Sequence, residues 1–205
     1  MKNILLSISI IFTTTCLYSQ NPKQKIFNAS DIYFYGYDFS HFKLAEAKRL
    51  NDGAKVAGYI ASWVGYMDAK LPHTSLTGKM GVNIIPRYEA TINANRTVVA
   101  ENVVSIHEHF INQVTIETAI KEYELHEKSG IGMVVIIECF YKATETASVY
   151  YVFFDIATRE ILDNYRFTTH KPGGFGLTSF WGENLESNFK KYIRTYYLSK
   201  KKANK

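Results

Sequence analysis

The chain reads as an α/β (α+β) sandwich. A mixed sheet of about five strands, ending in an antiparallel three-stranded meander, is expected with about three helices packed on it. Three observations predict this. Residues 131–142 (IGMVVIIECFYK) and 147–156 (ASVYYVFFDI) are short runs, apolar on both faces, as strands covered on both sides are. Apolar residues recur at helical spacing at Val56, Ile60, Trp63, Val64 and Met67, at Ile116, Ala119, Ile120 and Tyr123, and at Leu185, Phe189, Tyr192, Ile193 and Tyr196. The 205 residues make about one domain, and no repeat or linker divides them.

Taken in order, residues 1–19 read as an export signal. Lys2 is the positive start, Ile4 to Phe12 form an apolar stretch too short to span a bilayer, and 13–19 are the small and polar cleavage region. Cys16 lies at lipobox depth, but Thr13, Thr14 and Thr15 are not the Leu–small–Gly/Ala pattern such a site prefers. Soluble export to the periplasm or exterior is therefore expected, with outer-membrane anchoring through a lipidated Cys16 as the alternative. One domain, 20–205, follows. Residues 20–30 read as an extended lead-in and 31–39 (DIYFYGYDF) as a strand, with Tyr33, Tyr35, Tyr37 and Phe39 on one face. A helix over 54–69 ends at Leu71-Pro72, and one or two strands are expected within 81–99, with a short one at 103–106. The helix beginning near Ile116 ends at Gly130, where the meander begins, its third strand over 160–169. A third helix, started by Glu183 and Glu186 and followed by lysines, suits the helix dipole.

Composition excludes whole classes. With 15% aromatic and 21% charged residues the chain is not disordered, and with two cysteines it is no disulfide scaffold. Only Cys139 remains once the signal is removed, and it reads as a small buried apolar group. The uncharged stretch between Lys55 and Asp68 is too short to cross a membrane. The net charge of +5 belongs to the carboxy-terminal end: Lys190, Lys191, Arg194, Lys200, Lys201, Lys202 and Lys205 come without an acid. The tail 199–205, through Lys200, Lys201, Lys202 and Lys205, is a candidate contact for an anionic surface, read otherwise as a frayed helix end. No nucleic-acid partner is expected.

The segment from Gly130 through Leu162 holds the turn Asp155-Ile156-Ala157-Thr158-Arg159-Glu160. A helix, an apolar strand, a hairpin and such a turn resemble the amino-terminal domain of TolB and the curli-secretion lipoprotein, whose turn is D-x-x-T-G-E. Arg159 stands where that pattern has glycine, so a different turn is expected here. Gly130-Ile131-Gly132, Phe153-Phe154-Asp155 and the run 173–181 (GGFGLTSFW) resemble small exported Bacteroidetes proteins of unassigned activity. The resemblance implies an α/β fold and an envelope compartment, and no catalytic residues.

Four features of the sequence are candidates for chemistry or binding. His107 and His109 flank Glu108, and in an extended segment they share a face, a spacing some metal sites use. Zinc would need a further ligand, with Glu117, His126, His73 and His41 as candidates. Lys171, Gly173, Gly174 and Gly176 form a glycine-rich loop before the last helix, able to cradle an anion or to be a turn that lets Phe175, Phe180 and Trp181 cover the sheet. Glu138 interrupts an apolar strand and is expected to be paired or at an edge. Ala54, Gly58, Ala61, Ser62 and Gly65 make a small-residue face on the 54–69 helix, packed inside the domain or against a partner. The expectation is a non-enzymatic exported interaction or assembly module without a cofactor. Its surface would be Gly58 and Gly65, the loop of Lys171, Gly173, Gly174, Gly176 and Trp181, or both. The alternative is a metal-dependent or acid–base hydrolase using His107 and His109.

Overall fold

A computed structural model describes residues 22–46, 52–170 and 173–204. The export signal, Cys16, Lys171 and Lys205 lie outside the described residues. The architecture is α/β, a mostly parallel sheet of seven strands with helices on both faces, so the strand and helix counts exceed those expected.

The sheet is organised around β5 (Ile131–Tyr141), of whose eleven residues the first ten are buried. Along one edge it pairs antiparallel with β6 (Thr146–Asp155), which pairs antiparallel with β7 (Ile161–His170). Its other edge is shared by two short strands, both parallel to it. β1 (Asp31–Asp38) covers the first half, from Ile32↔Ile131 to Asp38↔Ile136, and β2 (Lys43–Ala45) the end, from Lys43↔Cys139 to Ala45↔Tyr141. Outside them, β3 (Asn83–Pro86) pairs parallel with β1, and β4 (Val104–Ser105) with β2. The expected meander is thus no separate end of the sheet, because its first strand is also the parallel centre.

β1 and β2 are two pieces of one interrupted ribbon. The chain leaves the edge at Phe39 and returns after Phe42, and both rings turn into the core, 5.4 Å apart. There they join Trp63, Phe140 and Trp181. Trp63 meets Phe140 edge-on at 5.0 Å, and Trp181 stacks on it at 4.6 Å and 7°. This face of the sheet is covered by α1 (Pro22–Asn28), α2 (Gly53–Lys70), α3 (His73–Met80) and α6 (Gly176–Tyr192), which continues through a π turn (Ile193–Tyr197) into α7 (Leu198–Ala203). The other face carries α4 (Glu89–Arg96) and α5 (Gln113–Glu122) over Val134, Ile136, Val152 and Phe154.

Local chemistry sets the helix starts. Asp52 caps α2 by accepting from the Lys55 amide at 3.1 Å, and Asn112 caps α5 by accepting from the Thr115 amide at 2.9 Å.

Several expected elements are corrected. The lead-in is helical at α1: seven residues with only Ile26 and Phe27 buried are too few to show a period. The region 81–99 holds one strand and then helix α4, whose inward side is mostly small or polar. Gly36, at φ 92°, bulges β1 and breaks the expected alternation, so Phe34 and Tyr37 point into the same core. Backbone groups near the bulge are met by α4: Thr91 donates to the Tyr35 carbonyl, Asn95 Nδ2 donates to the Tyr37 carbonyl at 2.9 Å, and Asn95 Oδ1 accepts from the Phe39 amide at 2.6 Å. The carboxy-terminal tail is helical through Ala203 rather than frayed. Arg159 takes the left-handed conformation itself, φ 63°, so the turn keeps the geometry a glycine would give. Asp155 holds it, accepting from the amides of Ala157 at 3.0 Å and Thr158 at 3.2 Å.

Phe140→Ala, which empties the centre of the aromatic cluster, is expected to cost about 3–5 kcal/mol in urea unfolding. Arg159→Gly is expected to raise stability by up to about 1 kcal/mol, the relieved left-handed strain less the entropy of a freer unfolded chain.

Candidate functional site

His107 and His109 lie in the segment after β4 that wraps over the carboxyl end of β5. Ser105 Oγ accepts from the His107 amide at 3.2 Å and donates to its carbonyl at 2.7 Å, a tight turn that leaves the His107 side chain exposed. His109 is half-buried. Burial lowers its imidazole from the usual histidine range, and the Lys43 charge lowers it further. Among the described residues no group of three or more His, Cys, Asp or Glu side chains could hold a metal ion, so the expected third ligand is not brought to the pair.

A cleft does open here, at the carboxyl end of β1, where open α/β sheets place ligands. One cavity of about 390 Å³ is lined by His41, Lys43, Asn102 and His109; a neighbouring one of about 450 Å³ has Glu122, Tyr123 and Glu124. Ser40, His41 and Thr97 line both. The buried carboxylate beneath, Asp38, has both oxygens engaged: Oδ1 accepts from the Ser40 amide at 2.7 Å and Oδ2 from the Tyr123 hydroxyl. It holds the loop in place. Burial pushes the nearby Cys139 thiol up to about 11, so it is neutral and unreactive at ordinary pH.

Glu138, fully buried at a bulge in β5, is the centre of the polar network on this face. Oε1 accepts from the Ile111 amide at 3.0 Å, and Oε2 from Arg166 Nε at 2.6 Å. The guanidinium lies over the Phe110 ring, 5.2 Å from its centre, and Nη1 donates to Thr168 at 3.2 Å. Burial raises the Glu138 carboxyl above its usual range, opposed by the Ile111 amide and by Arg166. The network clamps segment 105–112 to the sheet. Sequence reasoning missed Arg166. No count from the turn at Asp155 would have found it: a register shift between Phe153 and Phe154 sets Arg166, rather than Tyr165, opposite Tyr150, itself opposite Ile136.

The glycine-rich loop is turn chemistry. Gly174 and Gly176 have φ of 75° and 81°, and a Cβ on Gly174 would lie 2.7 Å from Ser179. A Cβ on Gly173 would meet the Glu183 carboxylate at 2.7 Å. Of the two readings of Trp181, the structure has the one in which it covers the sheet: it is fully buried against Phe140 and forms no part of a binding surface. Phe175, between the glycines, is fully exposed.

The small-residue face of α2 points outward. Ala54, Gly58, Ala61, Ser62, Gly65 and Ala69 are all exposed, while Val56, Ile60, Trp63 and Met67 face the core. Lys200 and Lys202 are exposed on α7, and Lys201 turns back onto the end of α3.

No protein-family model and no curated protein matches the chain. Among solved structures, the crystal structure of lipoprotein GNA1162 from Neisseria meningitidis is similar at a TM-score of 0.33 and 10% identity, over 82% of this chain and 99% of that one. A likeness that slight carries no argument about the site.

Arg166→Leu, which leaves Glu138 buried without its cation, is expected to cost about 3–5 kcal/mol in denaturant unfolding at neutral pH, and Glu138→Gln added to it is expected to restore much of the loss. A carboxyl raised in the native state binds its proton more tightly there than in the unfolded chain. Stability therefore falls as pH rises from the ordinary carboxylate range through the raised value, and the Arg166→Leu defect is expected to shrink in acid.

Proposed function

We propose that the protein is a non-enzymatic exported interaction module that pairs with a second copy of itself through the outward face of α2. One observation carries this reading. Gly58 and Gly65 stand on the solvent side of an eighteen-residue helix, and a Cβ built on either meets nothing within 4 Å. The monomer has no use for them, yet each costs the helix ~1 kcal/mol relative to alanine. Small side chains let two helix axes approach closely, which offsets such a cost once the helices pair.

The spacing selects the partner. About the midpoint between Ala61 and Ser62 the pattern reads the same in both directions: Gly58 matches Gly65, and Ala54 matches Ala69. An antiparallel two-fold pairing sets each glycine opposite its counterpart, the self-complementarity that an isologous interface requires. Phe175, fully exposed at the start of α6, which packs beside α2, adds an apolar contact on the same layer. The signal-like segment 1–19 supports an exported location. No helix among the described residues is long and apolar enough to cross a membrane.

Sedimentation of the wild-type protein is expected to show a concentration-dependent dimer, and Gly58→Leu with Gly65→Leu a monomer. Gly58→Ala and Gly65→Ala are each expected to stabilise the isolated monomer by about 1 kcal/mol. A wild-type chain that stays monomeric at high concentration refutes the pairing.

A further inference from the structure

The end of the molecule opposite the β1 cleft, near the amino ends of β1 and β3, carries a second surface, unrelated to the α2 face. Two adjoining grooves of about 470 and 390 Å³ lie between α3 and the α6–α7 helix and share Lys79 and Leu198. The first is lined also by Lys190, Lys191 and Arg194, the second by Lys201 and Lys202. Glu186, the acid that lines the first groove, is tied to Lys190 at 2.5 Å. Lys79, Arg194 and Lys202 are exposed, with no acid in ion-pair range among the described residues.

This surface is built rather than a loose tail. Lys201 Nζ donates to the carbonyls of Met80 at 3.0 Å and Gly81 at 2.7 Å, fastening α7 to the carboxyl end of α3. The helix passes through the π turn immediately before, a form found frequently at functional sites. Leu198, 40% exposed, stands where the two basic grooves meet.

We infer that these grooves bind the phosphate-bearing headgroups of an anionic lipid surface. The cations supply attraction to a negatively charged leaflet, and the exposed Leu198 among them suits the boundary between headgroups and acyl chains. Nucleic acid fits less well because the tyrosines beside these grooves are not free to stack: Tyr192 and Tyr197 are buried, and Tyr196 is stacked on Tyr165 at 3.8 Å. α1 packs against this end as well, with Phe27 5.5 Å from Tyr197 of the π turn.

Flotation of the full chain with vesicles of phosphatidylcholine containing phosphatidylglycerol, against phosphatidylcholine alone, isolates the electrostatic part, since apolar contributions are common to both. Each basic residue near an anionic leaflet strengthens binding about fivefold. The triple variant Lys79→Gln, Arg194→Gln, Lys202→Gln is therefore expected to lose about a hundredfold of the preference for the anionic vesicles, and high salt to abolish it in the wild type. The substituted side chains are exposed, and thermal melting checks that the variant is folded; if it is not, the salt response of the wild type decides. Equal binding to both vesicles, a preference that survives the triple substitution or high salt, or capture by heparin without any vesicle preference overturns the inference.

Discussion

The structure depends on β5 being shielded from water on both faces and paired along both edges. A strand so apolar cannot border solvent, and its backbone groups cannot be left unpaired in a dry interior. β6 satisfies one edge over its whole length. The other edge needs two strands, because β1 ends opposite Ile136 and β2 takes over only at Cys139. The gap between them is sealed by side chains: Phe39 and Phe42 drop from the crossover onto Phe140, and Trp63 and Trp181 close over them from α2 and α6. The order of the parallel strands and the placement of these two helices both follow from covering one ribbon.

Polar groups appear in this interior where regular pairing fails, and each is met from another element. At the bulge of β1, Thr91 and Asn95 of α4 bond the backbone. At the bulge of β5, Glu138 binds Arg166 and the Ile111 amide. On the opposite face, buried Asn188 donates to the carbonyls of Ala147 and Phe167, both at 3.0 Å, and accepts from Tyr151 at 2.8 Å, tying α6 to β6 and β7. Such groups resemble catalytic candidates when met singly in a sequence. In the fold their hydrogen-bonding capacity is spent on register and on holding crossovers.

The features left unspent lie outside. The outer face of α2 carries glycines the monomer does not need, and the α3–α7 end carries Lys79, Arg194 and Lys202 with no acid in ion-pair range among the described residues. Pairing through the first and lipid contact through the second are compatible, because they use different surfaces.

The sequence by itself determined the α/β class, the two doubly apolar strands β5 and β6, and the amphipathic helices α2, α5 and α6, because periodicity is a local record of burial and these elements are long enough to keep one. It did not disclose α1 and α4, which are short and dock through one or two apolar contacts or through polar side chains. It left Trp181 undecided between surface and core, and the small face of α2 between inside and out. It did not join Glu138 to Arg166, twenty-eight positions along the chain. Those outcomes were decided by tertiary structure, since each depends on which distant element arrives at a given face, and a local pattern carries no information about its neighbour across the sheet.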